Sequence, residues 1–168
     1  MKMKPSLYEV GIYIFQSGAT IIPWVDDLLL IRTKREVEEM KNRIRERFQI
    51  KDLGNVKFFL SILVERDREG RTLYLSQQTY LTKILHRFLM ENCRGCSTPL
   101  DPKTKLHRRT EAEESTDLRT YQEAVGSITY TAITTRPDLA YAAGLVGRFA
   151  ANPSTLHWQA VKRILRYI

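Results

Sequence analysis

The chain has 168 residues, enough for one ordinary domain or two small lobes that share a core. Hydrophobic residues make up 43% and charged residues 27%, a composition typical of a folded globular protein, which argues against a disordered chain. The net charge of +8 favours a polyanionic partner, although a basic solvated surface alone would also account for it. No apolar run approaches the roughly 18 residues that a membrane-spanning helix needs. We therefore expect no membrane partner and an intracellular protein.

Two adjacent carboxylates, Asp26 and Asp27, lie between two apolar runs that have the length and the Val, Ile and Leu content of buried strands. Residues 20–25 and 28–32 therefore predict a hairpin with the carboxylates at its tip, and residues 7–15 predict a third antiparallel strand. A buried ionised carboxylate is costly without a partner, so a divalent metal ion is a candidate ligand of this tip. The alternative is an ordinary tight turn, in which Asp is favoured because its side chain bonds its own backbone.

A helix is predicted directly after the hairpin. Thr33 is its expected N-cap, and the helical spacing extends over residues 34–48. The apolar positions, which should pack on one face of the sheet, are Val37, Met40, Ile44 and Phe48. The remaining positions mix Lys and Arg with Glu, a pattern that favours a solvated helix face over a stripe for nucleic acid.

A second hairpin and a second helix follow. Residues 56–65 and 72–75 predict two strands joined by a short turn that contains Gly70. From Ser76 or Gln77 the apolar spacing becomes helical as far as about residue 92.

Residues 91–117 show no clear periodicity, and we predict that they form a mobile surface loop. They contain Cys93 and Cys96, which could in principle form half of a zinc site or a redox pair, but plain reduced thiols are favoured because no second pair exists. Three helices are predicted after the loop, over residues 118–132, 137–150 and 154–168. The apolar pattern of the last helix is still in phase at the end of the chain, so we expect the chain to be part of something longer.

The sequence from residue 21 to residue 31, with Trp24-Val25-Asp26-Asp27 between two apolar runs, resembles the Tyr-Val-Asp-Asp signature of reverse transcriptases of copia-type retrotransposons. Seven further blocks resemble that family in the family's order, over almost the whole chain. They are FQIKDLG (48–54), FFL (58–60), YLSQ (74–77), CSTP (96–99), VGS (125–127), TRPD (135–138) and HWQAVKRILRY (157–167).

The resemblance implies an α+β fold that forms part of a polymerase right hand. It would comprise an antiparallel palm sheet with a packed helix, a primer-grip-like hairpin and a helical thumb-like lobe. Residues 1–75 would form the partial palm with both hairpins, and residues 76–168 the thumb-like lobe with its loop at about 91–117.

The resemblance also implies an RNA-directed DNA polymerase that uses two metal ions for nucleotidyl transfer. Asp26 and Asp27 would be its catalytic residues and its Mg²⁺ ligands, and Trp24 and Val25 would contact the primer. The implied partners are an RNA template, a DNA primer and the remainder of a polyprotein.

Activity of the chain by itself is a separate matter. The family uses three aspartates, the third on an upstream strand, and here Glu9 is the only acidic residue before Asp26. Pro23 and Trp24 also depart from the family pattern, which has an ordinary apolar residue and Tyr at these positions. We therefore expect a fragment that is inactive alone. The alternative is a non-catalytic, domesticated relic that binds nucleic acid or a protein partner.

Overall fold

The structure is a computed structural model that describes residues 3–7, 9, 11–15 and 17–168. Its fold is α+β, with antiparallel strands and packed helices, as the sequence predicts. The chain divides into two compact units, Met1–Phe59 and Leu60–Ile168. The division into a palm portion over residues 1–75 and a thumb portion over residues 76–168 stays a prediction. The second hairpin falls in the second compact unit.

The first unit contains a four-stranded antiparallel sheet in the order β1-β2-β3-β4, followed by a helix and a short strand. The elements are β1 (Met3–Pro5), β2 (Tyr13–Phe15), β3 (Thr20–Trp24), β4 (Asp27–Ile31), α1 (Lys34–Arg45) and β5 (Phe58–Phe59).

The prediction of a strand over residues 7–15 is wrong for most of the described residues in this range, because only Tyr13–Phe15 is a strand. The prediction for residues 8 and 10 lies outside the described residues. The amide of Ser6 donates to Ile12 O at 2.7 Å, and the amide of Ile12 donates to Glu9 O at 3.1 Å. These bonds turn the chain back on itself, so the segment forms the connection between β2 and β1, a strand that the sequence did not predict.

Pro23 lies inside β3, although a proline cannot donate a ladder hydrogen bond. The pairing of β2 with β3 covers only Thr20 and Ile21, whereas β4 pairs with β3 as far as Trp24. Beyond Ile21 the strand is therefore a local sheet edge on the β2 side. This is one of the few places in a sheet where proline is tolerated.

The hairpin strands are only half-buried, and the prediction of buried strands is wrong. Helix α1 contacts β4 and buries Met40. Thr33 caps α1 as predicted, since its Oγ1 accepts from Glu36 N at 3.4 Å. The helix ends at Arg45, three residues earlier than predicted. Phe48 therefore lies beyond it and is 66% exposed, instead of packing on the sheet.

The tip of the first hairpin is a two-residue turn formed by Val25 and Asp26, because Trp24 pairs directly with Asp27. Val25 has φ of +52°, which is a strained conformation for a β-branched residue. Its side chain is 91% exposed, so packing does not compensate for this strain. The favoured two-residue hairpin turns have positive φ at their first central position, where Gly, Asn and Asp are the usual residues.

The second unit contains a β-hairpin and a lobe of four α-helices. The elements are β6 (Ile62–Asp67), β7 (Thr72–Ser76), α2 (Gln78–Arg87), α3 (Leu118–Thr134), a 3₁₀ turn (Pro137–Leu139), α4 (Ala140–Gly147) and α5 (Thr155–Tyr167). Helices α3 and α5 lie close to their predicted bounds. The predicted helix over residues 137–150 is shorter and begins as the 3₁₀ turn.

Two predicted elements of this region are interrupted by left-handed residues. Leu60 and Ser61 have φ of +50° and +62°, so the predicted strand over residues 56–65 is divided between β5 and β6. Leu89 has φ of +55°, and the amide of Met90 donates to Leu85 O at 2.8 Å. This closes α2 at Arg87, five residues before its predicted end.

The core of the helical lobe lies between α3, α4 and α5, with Ile84 contributed by α2. Tyr121 is fully buried, and its hydroxyl donates to Val146 O at 2.8 Å, which joins α3 to α4. Burial raises the pKa of Tyr121 far above its usual value, so this hydroxyl keeps its proton. The core also contains Ile128 of α3 and Ile164 and Leu165 of α5.

The predicted loop over residues 91–117 is irregular but attached to the helical lobe at several points. The amide of Cys96 donates to Arg166 O at 3.2 Å, and Arg109 Nε donates to Asn152 Oδ1 at 2.9 Å. The amide of Thr155 donates to Glu114 O at 3.1 Å. The predicted mobility stays a prediction, and these attachments argue that it is restricted.

His157 provides the buried attachment of this segment. Its side chain is completely buried and stacks on Phe149, with the ring centroids 4.0 Å apart. Its Nδ1 accepts from the amide of Ser154 at 2.8 Å, and its Nε2 lies 2.8 Å from His107 O. A neutral ring protonated on Nε2 makes both bonds, whereas a second proton on Nδ1 would break the first. Burial also lowers the pKa of His157.

We predict that Val25→Gly stabilises the chain. Removal of about 1–3 kcal/mol of backbone strain exceeds the glycine entropy cost of about 0.4–1 kcal/mol, so a gain of about 1 kcal/mol is expected in urea unfolding. The matched control is Val56→Gly, at a partly exposed loop position without positive φ, which should lose stability. Equal losses in the two variants would show that the turn is not strained.

We also predict that His157→Asn removes a pH dependence of stability. Because the pKa of His157 is lower in the folded chain than its usual value of about 6.5, its contribution is complete above that value and is lost as the pH falls below it. Asparagine can still accept from Ser154 N but does not titrate. Urea midpoints between pH 8 and pH 5 should fall more steeply for the unsubstituted chain, and parallel curves would contradict this role of His157.

Candidate catalytic hairpin

The structure confirms that Asp26 and Asp27 stand at a hairpin tip. Asp26 is the second residue of the turn, and Asp27 is the first residue of β4. Both are exposed, and among the described residues neither carboxylate makes a hydrogen bond or an ion pair. The tip therefore presents two adjacent carboxylates to the solvent, and neither forms an ion pair with a cation in the described part of the chain.

Such a pair of charges suits a hard cation. Two unit charges about 4 Å apart interact by about 1 kcal/mol in water, so a bound cation would relieve their repulsion. Carboxylate oxygens are the donors that Mg²⁺ prefers. However, no group of three or more Asp, Glu, His or Cys residues within the described part of the chain is arranged to hold a metal. The donor set fits one end of a magnesium site and is too small for a complete one.

Later aspartates do not complete the site, because each of them is already held by a local partner. They are Asp52, Asp67, Asp101, Asp117 and Asp138. For example, Asp52 lies 2.9 Å from Lys41 Nζ, and this charged hydrogen bond lowers the pKa of Asp52. Asp117 caps α3 by accepting from Thr120 N at 2.7 Å, and the pKa of Asp117 is lowered as well.

Trp24 and Val25 precede the carboxylates and extend into the solvent at the same tip. Trp24 is 58% exposed and Val25 is 91% exposed. An exposed indole ring offers a flat apolar face and an N–H donor to a ligand. The structure thus places all four predicted site residues together, while their roles as primer contacts and metal ligands stay predictions.

The second hairpin exposes an apolar surface that sequence analysis missed. Leu73, Tyr74 and Leu75 are each between 51% and 60% exposed, so both faces of β7 are open. The Leu-Tyr-Leu run of this segment resembles that of a covered strand, and it carries no signal that could have revealed the exposure. Sequence analysis therefore gave no indication of this exposed apolar strand.

Surface charges pair along α1 and just before it. Arg32, which precedes the N-cap of α1, and Arg35 and Lys41 on the helix pair with glutamates three or four residues away, at 2.9–3.2 Å. These pairs confirm the prediction of a solvated helix face. On α5, the exposed Lys162 lies over the ring of Trp158, with Nζ 5.8 Å from the ring centroid.

Two further sequence expectations concern cysteines and membranes. Cys93 and Cys96 are free thiols, and Cys96 Sγ lies 3.4 Å from Arg163 O. In the described ranges, no helix has the length and apolar character needed to cross a bilayer. The intracellular compartment stays a prediction.

Comparisons with known proteins find relatives of this chain. A family described as Reverse transcriptase (RNA-dependent DNA polymerase) matches residues 1–102. The retrovirus-related Pol polyprotein from transposon TNT 1-94 of Nicotiana tabacum is 40% identical over 154 residues, which cover 88% of this chain and 12% of that protein. The corresponding polyprotein from transposon RE2 of Arabidopsis thaliana is 33% identical, over 97% of this chain and 11% of that protein.

A shorter relative, an uncharacterised mitochondrial protein of Arabidopsis thaliana, is 32% identical over 88% of this chain and 60% of its own length. No solved structure matches the chain. The chain spans about one eighth or less of the length of the two polyproteins above. It belongs to the reverse transcriptase family of copia-type retrotransposon Pol polyproteins.

Proposed function

We propose that this chain is the second part of a reverse transcriptase palm together with the thumb, and that it does not polymerise DNA alone. The observation that supports this proposal is the exposed Asp26–Asp27 pair at a hairpin tip, which among the described residues forms no ion pair and has no third acidic residue beside it. Two-metal nucleotidyl transfer would use such a pair of exposed carboxylates as metal ligands. It would also need the third acidic ligand, which the described part of the chain does not place beside the pair.

In the parent enzyme, Asp26 and Asp27 would hold Mg²⁺ through their carboxylates. The bound ions supply activation of the 3′ hydroxyl of the primer and charge stabilisation for the leaving pyrophosphate. The chain's own contribution would be placement, because the hairpin holds both exposed aspartates side by side at its tip. Trp24 and Val25 would contact the primer end, the indole ring by its face and the valine by its exposed methyl groups.

The other parts of the hand would act on the same substrates, an RNA template and a DNA primer. The hairpin β6–β7 would serve as the primer grip. Its turn is closed by Asp67, whose Oδ1 accepts from the amides of Glu69 and Gly70 at 3.0 and 2.9 Å. The lobe from α2 to α5 would be the thumb. The nucleotide pocket and the third aspartate would come from the remainder of the polyprotein.

We predict no primer extension by the 168-residue chain on an RNA or DNA template with Mg²⁺ or Mn²⁺. Without a third carboxylate and a nucleotide pocket, the alignment that can supply about 7–11 kcal/mol of barrier lowering is missing. Mn²⁺ binding, followed by electron paramagnetic resonance, should be weak. It should fall about fivefold in Asp26→Asn or Asp27→Asn, for the loss of about 1 kcal/mol of attraction.

The matched control is Glu69→Gln, which removes an exposed carboxylate of the second hairpin and should leave Mn²⁺ binding unchanged. Equal losses in all three variants would mean that the hairpin tip is not the metal site. Extension that Asp26→Asn abolishes would show that the chain is active and that a substitute carboxylate or a dimeric site exists.

The alternative function is a non-catalytic relic that binds nucleic acid. Lys162 over Trp158 on α5 favours it, because a cation beside an aromatic ring is a suitable contact for a nucleic-acid strand. The open β7 surface favours the related possibility of a protein partner instead.

For nucleic acid, we predict weak binding dominated by phosphate contacts. Duplexes of unrelated sequence should bind with similar affinity. Between 50 and 200 mM salt the affinity should fall steeply, by about tenfold or more if the chain contacts a few phosphates. Fluorescence anisotropy titrations measure both quantities. Sequence-selective binding that is insensitive to salt would contradict a phosphate-dominated surface.

A further inference from the structure

A cleft of about 300 Å³ lies in the second unit, between residues 100–106, α4 and α5. Four leucines line the cleft, and the side chain of each is only partly buried. They are Leu100, Leu106, Leu145 and Leu156. The volume is at the lower end of the range of about 300–1,000 Å³ in which proteins bind ligands. The cleft therefore offers an aliphatic floor to a small group.

The polar groups around this floor have a positive excess. Arg163 and Arg166, one turn apart on α5, both line the cleft, and no carboxylate pairs with either among the described residues. Arg163 donates through Nη2 to Thr98 Oγ1 at 2.9 Å, while its buried Nε has no acceptor in the described part of the chain. A buried donor without an acceptor is rare in folded proteins and costs about 1–3 kcal/mol.

The acidic residue of the cleft does not neutralise these arginines. Asp101 also lines the cleft, but its Oδ1 accepts from Lys103 N at 2.9 Å and serves its own turn. Gln159 and Tyr141 complete the rim, and Tyr141 is 78% exposed. The lining thus combines two arginines, a glutamine and a tyrosine with four leucines.

We propose that this cleft binds a short acidic peptide segment, with an aliphatic side chain on the leucine floor and a carboxylate on Arg166 and Arg163. Guanidinium groups bind carboxylates through two parallel hydrogen bonds, so the pair of arginines fits this chemistry. The site lies apart from Asp26 and Asp27 in the chain, and it does not depend on polymerase activity.

The floor favours a peptide over nucleic acid. A phosphate backbone is bound by basic residues on open surfaces, with bases stacked on aromatic rings. Four leucines in a concave surface have no polar group that binds a phosphate, whereas they can pack against the side chain of Leu or Ile. A peptide that carries both groups would use the floor and the arginines together.

The test uses the full 168-residue chain and a fluorescein-labelled tetrapeptide Glu-Leu-Leu-Glu in anisotropy titrations. Arg166→Glu reverses one charge at the rim, and its side chain makes no hydrogen bond or ion pair among the described residues. We expect this variant to bind the peptide at least about tenfold more weakly. The matched control is Arg148→Glu, an exposed arginine of the same unit outside the cleft, which should bind as the unsubstituted chain does.

Two further peptides and one measurement on the unsubstituted chain complete the test. Glu-Ser-Ser-Glu and Lys-Leu-Leu-Lys should each bind at least about tenfold more weakly than Glu-Leu-Leu-Glu. Peptide addition should shift the methyl resonances of Leu145 and Leu156, a readout that does not require any variant to fold.

No binding, equal binding of the serine peptide, or equal losses in the Arg166 and Arg148 variants would each overturn the proposal. So would displacement of the peptide by a single-stranded oligonucleotide with the same dependence on Arg166, since it would assign the arginines to nucleic acid.

Discussion

The register of one hairpin determines the features on which the candidate site depends. Trp24 pairs with Asp27, so only Val25 and Asp26 are left to form the turn. The favoured turns of two residues have positive φ at their first central position, and here that position is occupied by a valine. The same register turns both carboxylates toward solvent instead of the sheet. Strain, exposure and unpaired charge at the tip therefore have a common origin, and strained backbone of this kind is concentrated at functional sites in proteins.

The second unit is stabilised by different interactions. Its buried core lies between helices, and the hydroxyl of Tyr121 and the ring of His157 each satisfy buried backbone groups there. His157 matters for the irregular segment before α3, because it links the N-terminus of α5 to His107 O. A segment without regular backbone hydrogen bonds must find partners elsewhere. The attachments to α5 and to Asn152 provide them.

The sequence was informative where periodicity and caps determine structure. The hairpin at Asp26 and Asp27, the Thr33 cap and the helices α3 and α5 were all predicted, because apolar spacing and local hydrogen-bonding residues specify such elements. The errors at residues 56–65 and at the end of α2 arise from Leu60, Ser61 and Leu89, which adopt left-handed conformations without being glycine or asparagine. Their side chains give no indication of a left-handed backbone conformation. The exposure of Phe48 and β7 depends on tertiary packing, which local pattern does not encode.

Family membership and catalytic competence are separate conclusions, because a fold supports a reaction only where its site is complete. The sequence blocks and the hairpin follow from descent, and they would persist in a chain that had lost its activity. Catalysis depends instead on the number of carboxylates that meet at one point. The five aspartates after Asp27 are committed to turns, caps and ion pairs, and three of them have their pKa lowered by those partners. Recruitment of one of them to the tip would break its present interactions, so these aspartates are poor candidates for a third carboxylate beside Asp26 and Asp27.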